Sequence, residues 1–159
     1  AYGDRVAMIE VGRFALMGDW DDTPEPHARI AIRLKPASPV VFGQGWHRST
    51  QWFLEKVEGL VQSGMRVLDF GTGTGILAIA AMKLGAHVVA VERDSAAIAL
   101  AGEHFKLNNV AIPIVQQDSL DGEYDLILAN VGKTAGEELM PLFYSHLADW
   151  GKIVISKEE

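Results

Sequence analysis

The fold turns on Val67-Leu68-Asp69-Phe70-Gly71-Thr72-Gly73-Thr74-Gly75-Ile76-Leu77, an apolar run that ends in three spaced glycines and opens into a helix-period segment. Glycine lets the backbone turn tightly and lets a ligand approach where a Cβ would collide. Two details narrow the ligand. A dinucleotide fingerprint wants Gly or Ala at its sixth position, where Ile76 stands, and no Gly-Lys-Ser/Thr follows to make a Walker A loop. Asp69, just before the turn, would sit poorly beside a pyrophosphate. It suits the ammonium group of a zwitterionic ligand, reached directly or through water and the loop amides.

Outward from this turn, short β-branched runs alternate with helix-period segments, the pattern of βα units in a parallel sheet. Strands are expected at Arg66–Asp69, His87–Glu92, Ile112–Gln116, Tyr124–Ala129 and Lys152–Ser156, each rich in Val, Ile or Leu, as befits strands covered on both faces. Ile76, Leu77, Ile79, Ala80 and Leu84 form a helix stripe closed by Gly85. A second helix is expected from an Asp94 or Ser95 cap to Asn108, and a leading one through Phe53, Leu54, Val57, Leu60 and Val61 after a Ser49 or Thr50 cap. Leu139, Leu142, Phe143 and Leu147 mark a last helix, which Pro141 should begin or kink. The fold class is α/β, a doubly wound, mostly parallel, Rossmann-like sheet.

The N-terminal part reads differently. Val6–Val11, Arg13–Met17 and Arg29–Leu34 have strand character around the polar loop Gly18–His27, which suggests a small antiparallel element. One domain is expected over residues 1–159, with this element at 1–40 and the ligand-binding α/β core at 41–159. The last strand, Lys152–Ser156, would be a bare edge, which natural sheets avoid. The N-terminal strands, Arg29–Leu34 above all, or a second subunit are expected to cover it.

Composition sets the outer bounds. With 48% hydrophobic and 22% charged residues, the 159-residue chain suits one globular domain and excludes disordered, collagen-like and coiled-coil readings. No apolar run approaches the roughly 20 residues of a membrane span, and Ala1-Tyr2-Gly3-Asp4-Arg5 lacks the flank of a signal peptide. A soluble, cytoplasmic protein is expected. Without Cys there is no disulfide, thiolate nucleophile or Cys-based zinc site, and the five scattered His show no metal-ligand spacing. The net charge of −7 argues against a nucleic-acid surface and favours a cationic partner.

The strand ends supply the remaining candidates. Glu92 closes the second strand about 20 residues after the glycine turn, the ribose-binding position of nucleoside-binding sheets, where a carboxylate can accept from both hydroxyls. Asp118 follows the third strand and can accept from an adenine exocyclic amine. Asn130 follows the fourth.

In order and spacing these strand ends resemble the class I S-adenosylmethionine-dependent methyltransferases, over residues Phe42 to Ser156. The resemblance implies that Asp69, Gly71 and Gly73 meet the methionine and adenosine parts of S-adenosylmethionine, Glu92 the ribose and Asp118 the adenine. Within that group, Phe42-Gly43-Gln44-Gly45-Trp46-His47-Arg48-Ser49-Thr50 and Asp125-Leu126-Ile127-Leu128-Ala129-Asn130-Val131 are similar to two segments of PrmA-type ribosomal protein lysine methyltransferases. The chain departs from the first at Gln44, Trp46, Arg48 and Ser49. Phe42 and Thr50 are then expected at the cofactor, and Asn130 both at the cofactor and, as the catalytic candidate, at the acceptor amine. No Pro-Pro-aromatic sequence follows Asn130, which counts against the type acting on DNA adenine or glutamine. The resemblance implies methylation of a lysine or amine on a protein, ribosomal or otherwise related to translation. Small-molecule or nucleic-acid methyl transfer, and a non-catalytic cofactor-binding module, stand beside it as alternatives.

Overall fold

A computed structural model describes residues 8–35 and 48–159. Three short strands come first: β1 (Met8–Val11), β2 (Phe14–Gly18) and β3 (Ile30–Leu34). β1 and β2 form an antiparallel hairpin, but β2 and β3 run parallel, Phe14 opposite Ile30 through Gly18 opposite Leu34. The element is therefore mixed, not wholly antiparallel as expected. Residues 19–29 are long enough to cross over rather than turn back, and Arg33 pins that crossover by donating to the carbonyls of Gly18 and Asp21.

There follow α1 (Arg48–Leu60), β4 (Arg66–Phe70), α2 (Ile76–Lys83), β5 (His87–Val91), α3 (Ser95–Leu107), β6 (Ile114–Val115), β7 (Tyr124–Ala129), α4 (Lys133–Glu138), α5 (Met140–Ser145) and β8 (Leu147–Ile155). The last five strands make one parallel sheet in the order β6-β5-β4-β7-β8. This is the expected doubly wound α/β sheet. Its winding reverses between β4 and β7, and the crevice outside the carboxyl ends of such strands is where open α/β sheets take ligands.

Local chemistry explains the element limits. Gly85, at φ 98°, lets the Gly85 and Ala86 amides fold back on the Met82 and Ala81 carbonyls and close α2. Asp94 caps α3 by accepting from the Ala97 amide at 2.9 Å. β6 is shorter than the expected Ile112–Gln116, because Pro113 has no N–H for the ladder and Gln117–Ser119 turns as a single 3-10 helix. α1 begins at Arg48, so Ser49 and Thr50 lie within its first turn instead of capping it. Pro141 sits in the first turn of α5, where a missing donor costs nothing, and divides α4 from α5. Leu147, expected on that helix, instead opens β8 opposite Tyr124.

Side chains alternate across the sheet. Val67, Val88, Ala90, Leu126 and Leu128 face a core shared with α1, α2 and α3, while Leu68, Phe70, Val91 and Ile127 face one closed by Phe143 of α5. Phe14, Leu16, Ile32 and Leu34 of the small sheet are fully buried in the first of these cores. That burial corrects the expected cover for the last strand. β3 packs on α2 and α3, on the opposite flank from β8, because its apolar face is satisfied there. Among the described residues no strand pairs with the outer edge of β8. No helix among them is long and apolar enough to cross a membrane.

Candidate functional site

The glycine turn leaves the carboxyl end of β4 and doubles over the end of β5. The Gly71 and Thr72 amides both donate to the Val91 carbonyl, at 2.9 and 3.0 Å. Gly71 has φ 76°, and a Cβ there would lie 2.6 Å from Cγ1 of Val131, so conformation and space both demand glycine. Gly75, at φ 84°, precedes α2 without any side-chain cap, and in the first turn the Ala78 amide reaches toward the Asp69 carboxylate.

Asp69 is 1% exposed. One carboxylate oxygen accepts from the Thr72 hydroxyl at 2.6 Å, while Oδ1 is buried with no hydrogen-bond partner among the described residues. Burial drives its pKa up from 3.8 to about 6 against the pull of the Thr72 hydroxyl and the Ala78 amide, and the nearby Glu92 charge adds to the rise. A buried, half-satisfied carboxylate beside a cradle of glycines fits an ammonium-bearing ligand.

Glu92 brackets the same turn from the end of β5. Its Oε1 accepts from the Gly73 amide at 2.9 Å, and Oε2 accepts from the Arg93 and Asp94 amides at 3.1 Å each. Three backbone donors fix the carboxylate, yet it stays half-exposed with lone pairs left to accept from a diol. Asp118 stands exposed on the 3-10 turn after β6. Topology thus brings Asp69, Gly71, Gly73, Glu92 and Asp118 to one sheet edge. Thr50 is buried in α1, and Phe42 lies outside the described residues, as do Trp46 and His47.

Asn130 follows β7 at the opposite side of the switch point. Its Oδ1 is 3.4 Å from the hydroxyl of Ser156, a buried residue at the end of β8. That hydroxyl also accepts from the Gly132 amide at 3.1 Å and lies 3.3 Å from the Ala129 carbonyl. Beside this pair opens a cavity of about 540 Å³, walled by Trp52 and Phe53 of α1, Asn130, Gly132 and Ser156. Trp52 and Ser156 escape a reading of sequence alone. Ser156 shows there only as a strand terminus, although its place beside the Asn-bearing strand end was a usable signal. Trp52 shows only as one more apolar residue on a helix.

A polar staple joins the small sheet to the site. Buried His104 of α3 bonds the Thr74 carbonyl through Nδ1 at 2.7 Å and accepts from the Lys35 amide through Nε2 at 3.0 Å. Asn108, one turn on, accepts from the Arg33 amide and donates to the Arg33 carbonyl. Nothing in the sequence marked His104, because a lone His in a helix stripe carries no spacing signal.

Known proteins with this arrangement can now be named. A family model described as "Ribosomal protein L11 methyltransferase (PrmA)" matches residues 7–157. The chain is 41% identical over 127 residues to the ribosomal protein L11 methyltransferase of Caldicellulosiruptor saccharolyticus, covering 77% of this chain and 41% of that protein. It is 40% identical over 156 residues to that of Lactobacillus johnsonii, covering 94% of this chain and 49% of the relative. The chain therefore spans less than half the length of these curated relatives. A crystal structure of a ribosomal protein L11 methylase from Lactobacillus delbrueckii subsp. bulgaricus superposes with TM-score 0.84 at 33% identity, covering 96% of this chain and 80% of that one.

Proposed function

The chain belongs to the PrmA family of ribosomal protein L11 methyltransferases, and on that premise we propose that it is the S-adenosylmethionine-binding, methyl-transferring part of a protein N-methyltransferase. The observation that carries the reading is the buried carboxylate oxygen of Asp69, with no hydrogen-bond partner among the described residues, at the foot of a glycine turn that Glu92 brackets from the next strand. When bound, S-adenosylmethionine supplies an electrophilic methyl group on a sulfonium. Asp69 would face its ammonium through the turn, Glu92 its ribose hydroxyls and Asp118 its adenine.

The acceptor side is built from Asn130. A lysine amine, with a reference pKa near 10.4, must shed a proton before it can attack, to water or to a base at the cavity mouth. Asn130 offers a side-chain carbonyl that can accept from the remaining N–H, and Ser156 fixes where that carbonyl points. Positioning is the main task, because an in-line displacement needs nucleophile and carbon about 3–3.5 Å apart along one axis.

The substrate we infer is an amine of a basic protein, ribosomal as in the names of the relatives, and a cytoplasmic setting is part of the same proposal. The net charge of −7 suits such a partner. Calorimetric titration with S-adenosylmethionine, S-adenosylhomocysteine and NAD, repeated on Glu92→Ala, tests the reading. Saturable binding of the first two, weakened at least tenfold by the substitution, is the expected result; binding of NAD alone would overturn it.

A further inference from the structure

Trp52 lies off the buried stripe of Phe53, Leu54 and Val57, and its ring walls the cavity that also holds Asn130 and Ser156. Two ammonium groups of the chain rest near that ring. Lys157 Nζ is 4.9 Å from its centroid and Lys56 Nζ is 5.3 Å away. Both fall within the roughly 6 Å over which the negative face of an indole attracts a cation, and indole is the strongest aromatic partner. Of the two lysines, Lys157 lines the cavity. Phe53 meets the ring edge-on, at 5.1 Å and 87° between planes, and so restrains its tilt.

The charges around the cavity point the same way. Glu55, Glu158 and Glu159 line it together with Arg48 and Lys157; Glu159 accepts from Thr134 and Lys56 stands beside the ring, so once Lys157 withdraws the acidic lining residues still outnumber the nearby cations, Arg48 and Lys56. A cation can then enter a space that already attracts it. Lys157 also follows Ser156, the residue that touches Asn130, so the ring and the proposed acceptor position share one wall.

We propose that the Trp52 ring is an alkylammonium subsite for the methyl acceptor, and that Lys157 is its resident occupant, which an incoming lysine displaces. The proposal deepens the reading of the protein as an amine methyltransferase and rests on it. The two residues divide the work. The ring face favours the charged ammonium and receives it on arrival; Asn130 meets the amine once its proton has passed to water. Lys157 raises the threshold for entry by competing from within the chain.

The test uses Nα-acetyl-Nε-trimethyllysine methylamide, whose charge is permanent, beside an uncharged analogue carrying tert-butyl in place of trimethylammonium. Binding is read from the Trp52 indole N–H resonance, assigned by its loss in Trp52→Phe, and from calorimetry on Trp52→Leu and Lys157→Ala. The charged probe should bind the wild-type chain saturably and Lys157→Ala roughly three- to tenfold more tightly, with a loss of similar size in Trp52→Leu. Trp52→Phe should fall between, and the uncharged analogue should bind weakly throughout. S-adenosylmethionine affinity should be equal in all four proteins, which also shows that each is folded. Wild-type affinity in both Trp52→Leu and Lys157→Ala, or equal binding of the two probes, would overturn the subsite. Absence of S-adenosylmethionine binding in the wild-type chain would overturn the parent reading instead, so the two fail separately.

Discussion

His104 and Thr74 are joined by a 2.7 Å bond from an imidazole ring on α3 to a carbonyl in the middle of the glycine turn. The Lys35 amide donates to the other ring nitrogen, so the ring is neutral with its proton on Nδ1. Burial holds its pKa below the usual 6.5, partly offset by the Thr74 carbonyl and the Glu103 and Asp19 charges, with Lys35 acting in the same sense as burial. A His whose pKa is depressed on folding contributes stability that is full above its unfolded pKa and lost as pH falls through the folded one.

Replacing His104 by Ala should therefore cost about 1–3 kcal/mol at neutral pH, as the Thr74 carbonyl and Lys35 amide lose their partner. The difference between wild type and variant should shrink as pH falls below 6.5. Urea denaturation at pH 7.5 and 5.5 measures it; a difference independent of pH would show that the ring is not held neutral.

For Asp69 the sign is reversed. Its pKa rises from 3.8 to about 6 on folding, so its contribution is most favourable below about 4 and is lost as pH climbs to 6. Above that, keeping the buried charge costs of order 3 kcal/mol. Asp69→Asn should make the ligand-free protein more resistant to urea at pH 7.5 and weaken S-adenosylmethionine at least tenfold. Wild-type affinity for the same ligand should decline below pH 6, measured calorimetrically.

Gly71→Ala confronts both a φ of 76° and the methyl group of Val131 at 2.6 Å. A loss of about 1–3 kcal/mol is expected, with the turn displaced and ligand affinity reduced. Adding Val131→Ala removes the collision and leaves the backbone strain, so thermal unfolding of the double variant should recover only part of the loss.

Asn130→Ala and Ser156→Ala act on one pair. Methyl-transfer turnover should drop by at least tenfold in the first and less in the second, with S-adenosylmethionine affinity unchanged in both. Full turnover by Asn130→Ala would remove it from the chemistry.

The parallel sheet was legible because its strands are buried on both faces and its helices carry their own stops, as Gly85 and Asp94 show. Leu147 was misplaced because it continues the helical spacing of Leu139, Leu142 and Phe143; only pairing with Tyr124 makes it a strand residue. The parallel pairing of β2 with β3 was hidden for a related reason. Which way residues 19–29 travel depends on Arg33 bonds that no local pattern records. The strand-end candidates Asp69, Glu92, Asp118 and Asn130 were visible because topology sends all four to one edge. Ser156 and His104 bond to groups distant in sequence, and Trp52 meets Lys157 from the far end of the chain, which local spacing cannot show.

Glu92 spends both oxygens on the backbone amides of Gly73, Arg93 and Asp94, which leaves it no freedom to swing aside. In the proposed role, a fixed negative charge at that strand end would accept a free ribose diol and repel a phosphorylated one. On that proposal the bracket would act as a filter against the anionic nucleotides that crowd a cell, its rigidity setting selectivity among ligands more than the strength with which any one is held.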